Sequence, residues 1–182
     1  MKYEKTALFI DGSNFYAAPR LLNMDVDYAS LHKFFSHDTN LIRAYYYTAL
    51  PEDHEFSPLR PLIDWLDYNG YAVISKLTRE FTDPETGKKR TKGNMDMELA
   101  LDMLKLAPHI DHAVLFSGDG DFCRLLEDVQ GMGVRVSVVS TTKTSPPMAA
   151  DSLRRMADIF IEMEELRDDI AKPARQNSSA IT

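Results

Sequence analysis

Residues 6–14 read TALFIDGSN, and this stretch decides the fold. Thr6 to Ile10 is apolar without polar alternation, the pattern of a strand buried on both faces and hence of a central strand in a parallel sheet. Asp11, Gly12, Ser13 and Asn14 end it with turn chemistry. In an open parallel sheet the loops leaving the carboxyl ends of the strands form the ligand crevice. The strand therefore delivers Asp11 to the place where chemistry is expected.

Working outward, helical patterns are predicted over 15–22 and 28–35, where Leu31, Phe34 and Phe35 share one face. A Tyr-rich strand follows over 41–50, and then a helix over 57–68 that stops at Asn69 and Gly70. A strand over 71–82 runs into Asp83-Pro84-Glu85-Thr86-Gly87, which predicts a hairpin or projecting loop. The next helix, over 94–106, is expected to set Met97, Leu101 and Leu104 on one face. Residues 112–117 form another buried strand, 121–130 a helix ended by Gly131 and Gly133, and 134–139 a further strand. Pro146 and Pro147 are expected to open a helix reaching Ala157, before a short strand at 159–161 and a terminal helix over 162–171. The recurring β-then-α order is that of a doubly wound sheet. One domain is expected over 1–172, with 173–182 a polar, disordered tail.

The chain has 182 residues, 44% of them hydrophobic and 27% charged, enough for one α/β domain with a substantial core. A formal charge of −7 excludes a broad basic face for duplex nucleic acid, though not a local basic groove. The single cysteine, Cys123, excludes an intrachain disulfide and a multi-cysteine zinc site. The five histidines show no metal-ligand spacing with it. No GxxxxGK[ST] or GxGxxG phosphate loop is present. No apolar stretch reaches the length of a membrane span or a signal-peptide core, so a cytoplasmic protein without membrane contact is expected.

Asp11 and Asp119 each follow a separate buried strand. Ser117-Gly118-Asp119-Gly120-Asp121 adds two carboxylates with a glycine between them, Gly120 allowing a tight bend and leaving room for a ligand. Asp96 stands at the start of a helix. Each aspartate is also a good helix cap or turn residue, but together they form an oxygen-ligand set suited to Mg²⁺ or Mn²⁺. The expected chemistry is metal-assisted attack of water on phosphorus. Asn14 and Ser117 can orient Asp11 through hydrogen bonds. Asp102, six residues beyond Asp96, is rotated by about 240° from it and reaches the pocket only from the edge.

The segments FIDGSNFY (9–16), KGNMDMELALDM (92–103) and FSGDGDFCRLLEDVQGMGVRVSV (116–138), with SLRRMADIFI (152–161) as a weaker match, resemble the NYN domain family, in its LabA-like bacterial branch. That family is related to PIN-domain nucleases. The resemblance implies a PIN-like three-layer α/β sandwich with a central, mainly parallel sheet, and a metal-dependent ribonuclease. It places Asp11, Asp96, Asp119 and Asp121 at the family's acidic positions, with Asn14 beside them.

Lys88, Lys89, Arg90 and Lys92, with Lys76 and Arg79, gather at the expected hairpin just before Asp96. Such a basic arm could guide a phosphate backbone to the acidic pocket. Tyr16 and Phe81 could stack on unpaired bases. The expected partner is RNA, single-stranded or structured, and the sequence leaves a homo-oligomer open. Two other readings are a catalytically silent RNA-binding or regulatory module of the same fold, and a phospho-acceptor domain suggested by Asp11 together with Lys143.

Overall fold

Strand β1 (Lys5–Asp11) pairs in parallel with β2 (Asn40–Pro51) on one side and β5 (His112–Phe116) on the other. Its unbroken apolar run has a direct cause, since side chains alternate across a strand and both faces here are covered. Ala7 and Phe9 enter one packed layer, Leu8 and Ile10 the other, all of them fully buried. The computed structural model of the protein describes residues 3–51, 57–87, 89–92 and 94–173.

The sheet has seven strands in the order β4-β3-β2-β1-β5-β6-β7. Strands β3 (Ala72–Thr82), β6 (Arg135–Ser140) and β7 (Ile159–Glu162) complete a parallel set of six, while β4 (Lys89–Lys92) closes one edge antiparallel to β3. The expected hairpin is therefore present as β3 and β4. The chain winds outward from β1 to β3, returns to β5 on the other side of β1, and winds outward again. Strand order thus reverses between β1 and β5, where such sheets place their crevice.

Helices α1 (Gly12–Leu21), α2 (Tyr28–Ser36), α3 (Arg60–Tyr68) and α7 (Arg167–Ile170) cover one face. They pack Phe15, Leu31, Leu66 and Ile170 against Leu8, Ile10, Tyr46 and Phe116. Helices α4 (Asp96–Leu106), α5 (Cys123–Gly131) and α6 (Asp151–Met156) cover the other, packing Leu99, Met103, Leu126 and Leu153 against Ala7, Phe9, Tyr47 and Leu115. The result is the expected three-layer α/β sandwich. No helix among the described residues is long and apolar enough to cross a membrane.

Three local expectations are corrected. Helix α4 buries Leu99 and Met103 behind Met95, whereas Met97 is 66% and Leu101 48% exposed. Apolar residues surround this helix on several sides, and packing against β1 and Tyr47 selected the stripe 95, 99, 103. Pro146 and Pro147 do not open a helix: Ser145–Pro146 is a cis bond in an irregular loop, and α6 begins only at Asp151. The predicted terminal helix is a 3₁₀ turn (Met163–Leu166) followed by the short α7, and Ala171 then bridges to Val26. The tail from 174 lies outside the described residues.

Candidate functional site

Side-chain parity along β1 fixes where Asp11 points. It follows Ala7 and Phe9 in alternation and pairs in register with Tyr47, so it emerges on the α4–α5 side at the carboxyl end of the sheet. It also caps α1, accepting the backbone N–H of Asn14 at 3.3 Å, and it is only 8% exposed. Two hydroxyls hold the carboxylate in place: Ser13 donates to Oδ1 at 2.8 Å and Ser117 to Oδ2 at 2.9 Å.

Ser117 follows β5, the neighbour of β1, so its bond to Asp11 ties together the two strand ends at the reversal point. The same hydroxyl accepts the N–H of Asp119 at 3.2 Å, and the side chain of Asn14 accepts the N–H of Gly118 at 3.0 Å. The 117–121 loop is thereby clamped against the first turn of α1. Asn14 does not touch Asp11 through its side chain; its carbonyl oxygen holds the loop instead. Asp119 caps the 3₁₀ turn Gly120–Phe122 by accepting the N–H of Asp121 at 2.9 Å, which leaves the Asp121 side chain exposed ahead of α5.

The tight fit lies at Gly118 rather than Gly120. A Cβ at Gly118 would run into the carbonyl of Met148 and the hydroxyl of Ser140. At Gly120 it would meet only Ser152 Oγ at 3.1 Å and Ala150 Cβ at 3.2 Å. Gly12 is constrained in the same way as Gly118, against the Tyr47 carbonyl and the Tyr46 ring.

Asp96 opens α4 across the crevice and accepts a hydrogen bond from Asn94 Nδ2 at 2.6 Å. Its carboxyl is held above its ordinary value of 3.8, first by partial burial and then by the charges of Asp11, Asp119, Asp121 and Glu98. Four aspartates from three segments of the sequence thus share one electrostatic neighbourhood. Among the described residues, no donor bonds to Asp119 Oδ2, Asp96 Oδ1 or either oxygen of Asp121. Also among the described residues, no three His, Cys, Asp or Glu side chains converge closely enough to surround one ion. Open carboxylate oxygens under mutual repulsion are donors of the right chemistry for a hard divalent cation, and Mg²⁺ is commonly held by one or two carboxylates with water and phosphate completing its shell.

Asp102 stands apart from this group. It accepts the hydroxyl of Tyr47 at 3.2 Å, lies 3.9 Å from Lys105, and is absent from the charges that act on Asp96. Glu98 is a fifth carboxylate that the sequence reading did not single out. Its Oε1 binds Lys76 Nζ at 2.9 Å, so Lys76 of β3 is engaged by α4. Its position two residues after Asp96 was the available signal. Lys88 lies outside the described residues, as do the side chains of Arg79, Phe81, Lys89, Arg90 and Lys92.

An acidic crevice lies at the reversal point of a six-strand parallel sheet backed by helices on both faces, and the family match that follows points to a PIN-like, nuclease-type fold. The family model of the NYN domain matches residues 5–164, and the chain belongs to that family. Its LabA-like character is equally plain. The low amplitude and bright protein LabA of Synechococcus elongatus is 33% identical over 174 residues, covering 94% of this chain and 90% of its own length. A solved structure of a protein of unknown function from Vibrio parahaemolyticus shares the fold, with a TM-score of 0.73 and 24% identity over 93% of this chain and 97% of that one.

Proposed function

We propose that the protein is a metal-dependent endoribonuclease whose centre is formed by Asp11, Asp96, Asp119 and Asp121, with Mg²⁺ or Mn²⁺ as cofactor. The observation that carries this reading is the gathering of these carboxylates at the β1–β5 reversal, where Ser117 bonds Asp11 and three aspartates press on the fourth. Membership of a family related to PIN nucleases supports it.

When bound, a divalent ion supplies activation of water and neutralisation of charge on the phosphate. The chain's own residues provide position. Ser13 and Ser117 fix both oxygens of Asp11, Asn14 holds Gly118, and the cap at Asp119 sets the turn that presents Asp121. In hydrolysis water adds to phosphorus, the bond to one ribose oxygen breaks, and that oxygen takes up a proton. The repulsion that raises the proton affinity of Asp96 is what a bound cation would relieve.

A second reading, a catalytically silent RNA-binding or regulatory module, draws on one feature: both oxygens of Asp11 are already engaged by hydroxyls. End-labelled single-stranded and structured RNAs incubated with Mn²⁺, Mg²⁺ or EDTA separate the two. Metal-dependent cleavage that is lost in Asp119→Asn supports the nuclease; RNA bound without cleavage supports the silent module.

A further inference from the structure

Helix α1 carries more than the cap on Asp11. Ser13, Tyr16 and Arg20 are spaced i, i+3 and i+7, so they lie along one face of the helix, and all three are exposed. The stripe begins at the hydroxyl that binds Asp11 and leads away from the crevice. Along it, the Arg20 guanidinium sits 4.3 Å from the centroid of the Tyr16 ring, a cation–π contact. Among the described residues no carboxylate pairs with Arg20 and no hydrogen bond takes up its N–H donors. In a chain of net charge −7, a cation without a carboxylate partner among the described residues is conspicuous.

Beside the stripe is a cavity of about 260 Å³. It is lined by apolar Phe15, Met24, Val26 and Leu62, by Tyr16 and Arg20, and by Asp25 and Lys172, which form an ion pair at 3.4 Å. An aromatic ring, an unpaired guanidinium and an apolar recess are together the elements that hold an unpaired nucleotide: a platform for the base, donors for its phosphate, and a dry wall.

We propose that Tyr16, Arg20 and this cavity form a subsite for one unpaired nucleotide of RNA, so that the strand leaves the acidic crevice along α1. The proposal rests on the RNA reading above. It makes the substrate single-stranded next to the scissile phosphate, because a base held in a duplex cannot turn into the recess. It also gives the strand an exit on the opposite layer of the sandwich from α4.

The test is fluorescence anisotropy with a labelled single-stranded RNA of about ten nucleotides, in Mg²⁺, using full-length Asp119→Asn protein so that binding is read without cutting. Tyr16→Ala and Arg20→Ala, introduced into that background, are each expected to weaken binding about tenfold, with Tyr16→Phe unchanged. Arg20→Ala should also lower the slope of log affinity against log salt by about one. A fully paired duplex of the same sequence should bind more weakly and ignore both substitutions. If the parent binds RNA and the alanine variants bind it equally well, the subsite is overturned while the RNA reading stands. Failure of the parent to bind any RNA overturns both. Tyr16 and Arg20 are exposed, and thermal melts of the variants are expected to match the parent.

Discussion

Ser117 donates its hydroxyl to Asp11 Oδ2 at 2.9 Å, joining the ends of two adjacent strands 106 residues apart in sequence. The bond is buried, Ser117 being 1% exposed, and the same oxygen accepts the N–H of Asp119. Ser117→Ala should therefore act on stability and site together. Loss of a buried bond to a charged group predicts a decrease of about 1.5–3 kcal/mol in urea unfolding. Divalent-ion affinity should fall with it, as titration calorimetry reads. A variant as stable as wild type would mean that another donor replaces the hydroxyl.

Gly118→Ala is expected to be worse tolerated than Gly120→Ala. The added methyl at 118 meets a backbone carbonyl that cannot move without the 141–150 loop, whereas at 120 it meets the Ser152 hydroxyl and the Ala150 methyl. Comparison of the two melting temperatures checks this, and equal values would contradict the steric account.

Asp96 gives a pH signature. Its folded pKa lies above its ordinary 3.8, so the folded state binds more protons in the window between those values, and stability falls as pH rises through it. In metal-free buffer Asp96→Asn should raise Tm at pH 7, with the advantage closing below pH 3.8. Added Mn²⁺ should raise Tm of the wild type by mass action and raise that of the variant less. Unchanged Tm in both comparisons would remove Asp96 from the cluster.

His112 predicts the opposite slope elsewhere. Burial, and then the charge of Arg135, hold its pKa below 6.5, with Glu4 and Asp158 opposing, while Nε2 lies 2.7 Å from Ser137 Oγ. The unfolded state then binds the extra proton, so stability present at neutral pH is lost as pH falls below 6.5 towards the folded value. His112→Gln should flatten that part of a stability–pH curve. A curve parallel to that of the wild type would show that His112 does not titrate differently on unfolding.

Helix α4 offers a packing test. Leu99→Ala should cost about 2–5 kcal/mol, because Leu99 is 1% exposed in the core. Leu101→Ala, at a position 48% exposed, should stay within about 1 kcal/mol. Chemical denaturation distinguishes them, and the reverse order would restore the stripe of Met97, Leu101 and Leu104.

These cases also mark what the sequence made legible. The β1 run, the SGDGD loop and the glycine stops after α3 and α5 each rest on local patterns strong enough to place strands, reversals and acidic residues. Helix α4 was ambiguous because apolar residues occur around most of its circumference, so only the tertiary partner could choose the buried face. Glu162 shows a different limit. It reads as the start of a helix, yet it ends β7 and caps the following 3₁₀ turn. Burial works against its charge, but bonds from Thr141, Thr142 and Glu164 outweigh that and leave its pKa lowered. Such long-range satisfaction of a carboxylate has no sequence period. The hydroxyls on Asp11 were half visible: Ser117 was foreseen, while Ser13 passed as turn chemistry.

The central claim is that Asp11, Asp96, Asp119 and Asp121 act as one metal-dependent centre. Single-turnover cleavage of RNA should be measured in Mn²⁺ for the wild type, each Asp→Asn variant and the Asp11→Asn/Asp119→Asn double variant. Groups that act as a unit are strongly non-additive. Cleavage that stops in EDTA, falls at least about 100-fold in Asp11→Asn or Asp119→Asn, and falls no further in the double variant is the result predicted. Wild-type rates in either single variant, or cleavage indifferent to EDTA, would contradict it.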